Sequence, residues 1–578
     1  MDIRVIIMSL LALATPVYAA AQGVEGLSER LLGGVETMSE EEAEALGRLR
    51  DSPLRVNHQD AAGLAASGLF TAYQAASIID YRSLHGDILS AAELSILDGF
   101  NPYFVSVVRR LLSFEETSAE AAASADISLR LWRKDGFMAW GGKVKISSGG
   151  FEAGLSARTL YSDGAVPSSY SFYVAVRHGR SRFVAGDVNL RFGQGLSLWS
   201  GASFGGVTTP VSLLKRASGL TPSNSYSASG QHRGFGWEYR PGRRHIITAF
   251  SVFPGLREWF QEGRRFDPAL LSGVNYTLLL PHGQVGVTAL AKTNTLHNTS
   301  FSLEEVSFSL DGRFCYRGTD FFFEVSGEPS AHLGPPGGAA VFGSMFPALG
   351  GRIGLSARCF SRSYRGVEAR PLGVWSSHAG EMGLSVSYGW GQSYFCVDAA
   401  SQGGSGKKYF KAKYLGGFSM GAVSLRPLLQ LGLKNYGADL TRRELRLDAS
   451  LPLGSFVLSA RADAVKCVNL GTLAFVEGGY KCSSLSLWLR GTVFRADNWY
   501  DRLYCYERDA PGNFLVPFYY GRGYALAFYS SWSPPGSSWR AAGRLKLYLR
   551  ASYSGFFPSS MRKKPGSAEL RLCARYSF

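Results

Sequence analysis

Nine arginines recur at alternate positions in segments that read as extended chain: Arg158, Arg177, Arg191, Arg358, Arg446, Arg490, Arg544, Arg571 and Arg575. Leu445, Leu447 and Ala449 alternate with Glu444, Arg446 and Asp448; Leu485, Leu487 and Leu489 alternate with Ser486, Trp488 and Arg490. Side chains two apart in a strand share a face, so each segment carries an apolar face and a polar one bearing a guanidinium. Rings of cationic side chains around a lumen pass or bind anions. The alternative is that each pairs with a lumenal Asp or Glu, or lies at the rim. Covalent chemistry has no comparable signal. The chain lacks a GxSxG elbow, an HExxH pair and a complete phosphate loop, and Gly403–Lys407 (GGSGK) has the wrong spacing for one. A triad assembled only in space is the one route left to a hydrolase. The seven cysteines form no CxxC pair and no zinc spacing. They read mainly as small apolar residues of the wall or lumen rather than a disulfide framework, with one or two pairs as the alternative in an oxidising compartment, and no metal or cofactor is expected.

The elements that would carry the arginines are many short strands. Alternating segments recur about every 18 to 20 residues from 125 onward, separated by Gly, Asp, Asn, Ser and Pro turns. Over about 450 residues that spacing implies roughly 22 to 26 strands, an even number being expected of a barrel. The content of 69 Gly, 28 Tyr, 36 Phe and 11 Trp suits tight turns and aromatic girdles. The last strand is the clearest. Leu570, Leu572, Ala574, Tyr576 and Phe578 alternate with Glu569, Arg571, Cys573, Arg575 and Ser577, which suits a wall between lipid and a wet lumen. It resembles the C-terminal signal of bacterial outer-membrane barrels. That resemblance implies outer-membrane lipid around the wall and recognition of Phe578 by the barrel assembly machinery. At the other end, Arg4, the apolar run Val5–Ala14, Pro16 and the small residues Ala19, Ala20 and Ala21 read as a signal peptide over residues 1–21.

The first 124 residues differ in kind. Residues 22–52 read as an acidic helical lead-in, 53–116 as a compact helical head, 117–124 as a small polar linker and 125–578 as the barrel. Residues 23–124 hold 7 Lys and Arg against 16 Asp and Glu, whereas 125–578 hold 53 against 28. An acidic head is thus joined to a strongly basic body, and pairing inside the body cannot neutralise every one of its cations.

In the head, Val56-Asn57 is expected to open a helix. Ala76, Ile78, Ile79 and Tyr81 mark the next, and Ser90 with Glu93-Leu94 opens another after a His85-Gly86 turn. This pattern resembles the tandem helix-hairpin-helix domain of competence-type DNA receptors. The resemblance implies that two glycine hairpins offer backbone N–H groups to DNA phosphates, helped by a helix N-terminus. The matching positions are Gly68-Leu69-Phe70 and Gly99-Phe100-Asn101, with Arg109 and Arg110 as cationic support. Each hairpin keeps one glycine where the family has two, and residues 53–114 hold four Arg against five acids. In the body, residues 186–201 (GDVNLRFGQGLSLWSG) and 213–239 are similar to an uncharacterised family of Gram-negative proteins that join a signal peptide, such a head and an outer-membrane barrel. Gly193-Gln194-Gly195 reads as a glycine kink or bulge in the wall. Lys215, Arg216, His232 and Arg233 read as lining a long loop, infolded or external.

Two functions are expected from this. In the first, a barrel of the outer membrane with a periplasmic head admits DNA or another anionic polymer through a basic lumen. In the second, the head is a plug or a contact module for a periplasmic protein, and the barrel is structural or passes small anions. A module of about 60 residues is expected to fit beside a barrel more easily than within one.

Overall fold

A computed structural model of the chain describes residues 29–31, 40–115, 123–160, 166–201, 206–226, 232–254, 269–294, 302–329, 335–366, 368–435, 439–511, 515–534, 544–558 and 565–578. The expected signal peptide, residues 22–28 and 32–39 of the expected lead-in and most of the expected linker lie outside these residues.

The body is a closed antiparallel barrel of 24 strands. Its first strand, Ser124–Lys134, pairs with its last, Ser567–Ser577. The terminal residue completes the seam: the N–H groups of Ala125 and Phe578 each donate to the other's carbonyl at 3.0 Å. Arg575 is paired with Asp126 across the same joint. One strand is broken at Gly416-Gly417, with Lys407–Leu415 and Phe418–Met420 both pairing to Val423–Asn435. Both ends of the barrel segment lie at one rim. That rim carries tight turns such as Arg317-Gly318 and Leu349-Gly350, in which both residues have positive φ, as right-twisted two-residue hairpins require. The longest connections, 192–231, 361–380 and 497–520, lie at the opposite rim.

Burial is inverted relative to a water-soluble protein. Leu129 and Leu131 are 62% and 51% exposed while Ser128 and Arg130 are buried. Phe308 and Leu310 face out while Ser307 and Ser309 are buried. Water-soluble proteins rarely expose continuous apolar bands, whereas a membrane barrel requires one. Stacked aromatics collect near the tight-turn rim, among them Tyr388, Trp390 and Tyr414. Such rings sit well at a membrane–water boundary.

The N-terminal part is built of helices Glu40–Asp51, Ala61–Ala66, Ala72–His85, Ala91–Ser95 and Pro102–Val108. Four of them are started by a side chain that satisfies a free backbone N–H: Asp60, Thr71, Ser90 and Asn101 accept from Gly63, Gln74, Glu93 and Phe104. Thr71 and Gln74 form a reciprocal capping box. Leu64, Phe70, Ile78, Leu94 and Val108 fill the core. The expected helix at Val56-Asn57 is absent. Residues Leu54–Arg55 instead pair in parallel with Leu112–Ser113, tying the start of the domain to its end. Asn57 cross-links that junction, donating to the carbonyls of Ile88 (2.9 Å) and Glu115 (3.1 Å). Asn competes for backbone partners in this way and favours turns over helix interiors.

This helical domain lies within the barrel rather than beside it. Its residues bond to inward-facing side chains of strands all round the wall, and a barrel of 22 or more strands is wide enough to hold a plug.

Candidate functional site

The inner wall and the helical domain meet through charge. Glu44, on helix Glu40–Asp51, is paired with Lys143, whose ammonium also donates to the Asn224 carbonyl at 2.7 Å. Both side chains are at most 10% exposed. Burial alone would raise the Glu44 pKa, but Lys143, Arg48 and Arg130 outweigh it and hold the carboxyl below its ordinary value. Glu29 is paired with Arg446, and the Tyr394 hydroxyl donates to the Glu29 carbonyl at 3.1 Å. Asp60 meets Arg177, and Asp98 meets His282 at 3.2 Å in a tight turn of the rim. The Arg313 guanidinium donates to the Gly99 carbonyl at 2.8 Å and to Asp320 at 3.2 Å. From the opposite rim, the 192–231 connection reaches down to the domain, and its Ala217 carbonyl accepts from the Ala72 N–H at 3.0 Å. The acidic head and basic wall of the sequence are therefore complementary surfaces of one interface.

Most of the residues expected to hold DNA phosphate have their side chains in the domain's own packing or capping. Gly68 and Gly99 have φ of +73° and +83°, as hairpin glycines should. Leu69, Phe70 and Phe100, however, are core residues, and Phe70 packs edge-on to Phe100 at 5.5 Å. Asn101 spends its side chain on the Phe104 N–H at 2.8 Å. The helix that follows the first hairpin is capped by Thr71 and covered by Ala217. Arg109 and Arg110 form a single 3-10 turn with Leu111. Arg110 is pushed down to about 10 by burial and by the neighbouring cations Arg30, Arg426 and Arg109. In this arrangement the side chains of the two hairpins are used for packing within the domain.

Nor, among the described residues, do these arginines form an open ring of guanidiniums. Arg358 is held by Glu381 and Asp398, each at 2.7 Å. Arg490 is held by Glu477 at 2.7 Å and donates to the Tyr506 carbonyl at 2.6 Å. Arg571 is paired with Asp509 and Glu569, and Arg446 with Asp448 as well as Glu29. Arg158 lies 5.4 Å from the Tyr226 ring centroid and Arg191 lies 5.8 Å from that of Trp199. Arg177 and Arg575 take Asp60 and Asp126. Arg544 begins its strand, exposed, at the tight-turn rim. Tyr506, Asp509, Tyr226 and Trp199 all belong to long connections, so these arginines anchor infolded loops.

Gly193-Gln194-Gly195 is not a kink in the wall. It follows the strand Ser181–Arg191 and turns the chain inward, and the N–H groups of Gln194 and Leu196 donate to Glu324 at 2.5 and 3.1 Å. A Cβ at Gly193 would stand 2.6 Å from that carboxylate. Lys215 and Arg216 lie on the same infolded loop, while His232 and Arg233 open the strand that leaves it. Sequence reasoning missed the partners Glu324, Glu368 and Asp398. For Glu324 and Asp398 a carboxylate on the polar face of a strand was the available signal, but its partner lies as many as 191 residues away; Glu368, in the 361–380 connection, gave no such signal.

Ser200, His232 and Glu368 do come together, at 2.8 Å and 3.2 Å. Ser200 is wholly buried, and its Oγ already accepts from the Leu190 N–H at 2.7 Å. The trio pins two loops to the wall and presents no reachable nucleophile.

No known family model and no curated protein sequence matches the chain. Solved structures that resemble it include the translocation pore of the P pilus usher PapC, at 10% identity over 79% of this chain and 99% of that one, with a TM-score of 0.37. The FrpB iron transporter of Neisseria meningitidis matches at 11% identity over 78% and 81%, with a TM-score of 0.36. OccK3 (OpdO) of Pseudomonas aeruginosa matches at 10% identity over 79% and 95%, with a TM-score of 0.28. At these scores the likeness carries nothing about what this barrel admits.

Proposed function

We propose that the protein is an outer-membrane pore held closed by its own N-terminal domain, which must shift or leave before anything passes. One observation carries this reading: Glu29, Glu44 and Asp60 of the domain are each paired with a cation of a different wall strand, Arg446, Lys143 and Arg177. Two of the three pairs are buried. Breaking a buried pair by removing one partner costs about 3–5 kcal/mol, so a plug seated on several such pairs stays put without a trigger. Outer-membrane barrels turn tightly on the periplasmic side. The rim that carries the termini is then the periplasmic mouth, and a periplasmic partner could draw the plug from there. The infolded loops narrow the lumen from outside.

The test is single-channel recording in planar bilayers. The full chain should conduct little, and a chain lacking residues 29–115 should conduct steadily and far more, its barrel checked by heat-dependent mobility on gels. Equal, large conductance in both forms would end the proposal.

A further inference from the structure

A cavity of about 530 Å³ lies between the helical domain, the wall and the infolded residues 206–226, with Trp199. Ligand sites commonly occupy about 300–1,000 Å³. Seven basic and three acidic side chains line it. Two of the acids are already used, Glu44 by Lys143 and Glu152 by Lys145 at 2.9 Å. Glu324 and Glu42 act on Lys215, and Glu42 on Arg216, only through space and not as ion pairs. At other points of this lumen the chain answers a cation or free N–H groups with its own carboxylate: Asp398 takes Arg358, and Glu324 takes the turn at Gly193. Here it does not. Among the described residues neither Lys215 nor Arg216 has a carboxylate within salt-bridge distance, and Arg216 Nη1 is buried without a hydrogen-bond partner. The Lys215 ammonium lies 3.8 Å from the Trp199 ring centroid, which fixes it against an aromatic floor.

We infer that this chamber is a binding site for a small multivalent oxyanion, a polycarboxylate or a phosphate ester, held by Lys215 and Arg216 over Trp199. The inference rests on the plugged reading, because the helical domain forms one wall of the chamber. The Lys215 ammonium also donates to the Arg370 carbonyl, but a neutral carbonyl leaves its charge unbalanced; burying cations without a counter-charge is costly, and a bound oxyanion removes that cost. Burial, and then the neighbouring Arg191, pushes the Lys215 ammonium well below its usual pKa, a penalty an anion would relieve. Arg accepts carboxylate and phosphate in a fork of two hydrogen bonds, so two charged oxygens suit the site better than chloride.

The experiment is calorimetric titration of the full chain in detergent with citrate, with inorganic pyrophosphate, and with glucose as the neutral control. At least one anion should bind at low salt, weaken as salt rises, and lose about tenfold or more in affinity in the double variant Lys215→Gln/Arg216→Gln. Glucose should give no heat. Arg216→Lys should recover part of the affinity, and Arg544→Gln, at the rim, should bind like the parent. Stronger citrate binding would assign a carboxylate ligand, and stronger pyrophosphate binding a phosphate ester. No binding of either anion, or binding untouched in the folded double variant, overturns the inference. If neither anion binds but deletion of residues 29–115 still opens the pore, the plug stands and the chamber alone is lost.

Discussion

At the scale of single residues, the lumen works by matching charges that are out of water. Glu44→Lys sets two ammonium groups against each other at the Lys143 contact. Loss of the pair should weaken seating of the domain by about 3–5 kcal/mol, read as frequent openings in bilayer recordings. The swap Glu44→Lys/Lys143→Glu should close the pore again; if it stays as leaky as the single variant, the pair is not what seats the domain. His378, in the 361–380 connection, gives a pH dependence. Burial first, then Arg370, Lys215 and Arg358, pushes its pKa down to about 4. The folded loop therefore keeps a neutral imidazole while the unfolded chain protonates near its ordinary value of about 6.5. Stability is whole above that value and is lost as pH falls toward 4, by on the order of 3 kcal/mol. Thermal midpoints of the parent should fall over that window, and those of His378→Leu should fall less. Parallel curves would remove His378 as the cause. The alternation of Arg446 with Leu445 and Leu447 placed that arginine in the sequence. The identity of its partner, Glu29, was not legible, because a strand pattern fixes which face a side chain occupies and not which distant carboxylate the closed barrel brings to it.

At the scale of elements, the strands were readable and the loops were not. Period-two alternation, with turns such as Arg317-Gly318, is local information, and it carried over into paired strands. The helices of the domain were readable where a capping side chain precedes an apolar run, as at Ser90. They were misread at Val56-Asn57, where the 54–55 segment pairs with a strand 58 residues on. The infolding of 192–226 was undecided for a physical reason: Gly193-Gln194-Gly195 offers N–H groups to a carboxylate, and nothing local says that the carboxylate is Glu324. Two variants test the domain's own architecture. Thr71→Ala removes the capping box and should cost about 1 kcal/mol. Gly99→Ala should cost more, about 2–4 kcal/mol, since it adds left-handed strain to a Cβ that would stand 2.8 Å from the Tyr73 ring. Denaturant melts of the full chain, following release of the domain by proteolysis, should rank them in that order; a neutral Gly99→Ala would mean that the hairpin is not packed on Tyr73.

At the scale of the whole molecule, the opposite net charges of the two parts become a single interface. The expectation that the domain would sit beside the barrel fails on width: a wall of 24 strands encloses more space than its own inward side chains and infolded loops fill, and an acidic domain fits the remainder. The direct measurement is cross-linking in intact outer membranes between Glu44→Cys and Lys143→Cys, with the linked peptides identified by mass spectrometry. The outward-facing Leu129→Cys serves as the paired control. Linkage of 44 to 143, with none to 129, is the expected result. Absence of the 44–143 link, together with free labelling of Cys at 44 by a membrane-impermeant maleimide, would show the domain outside the lumen and contradict the plugged barrel.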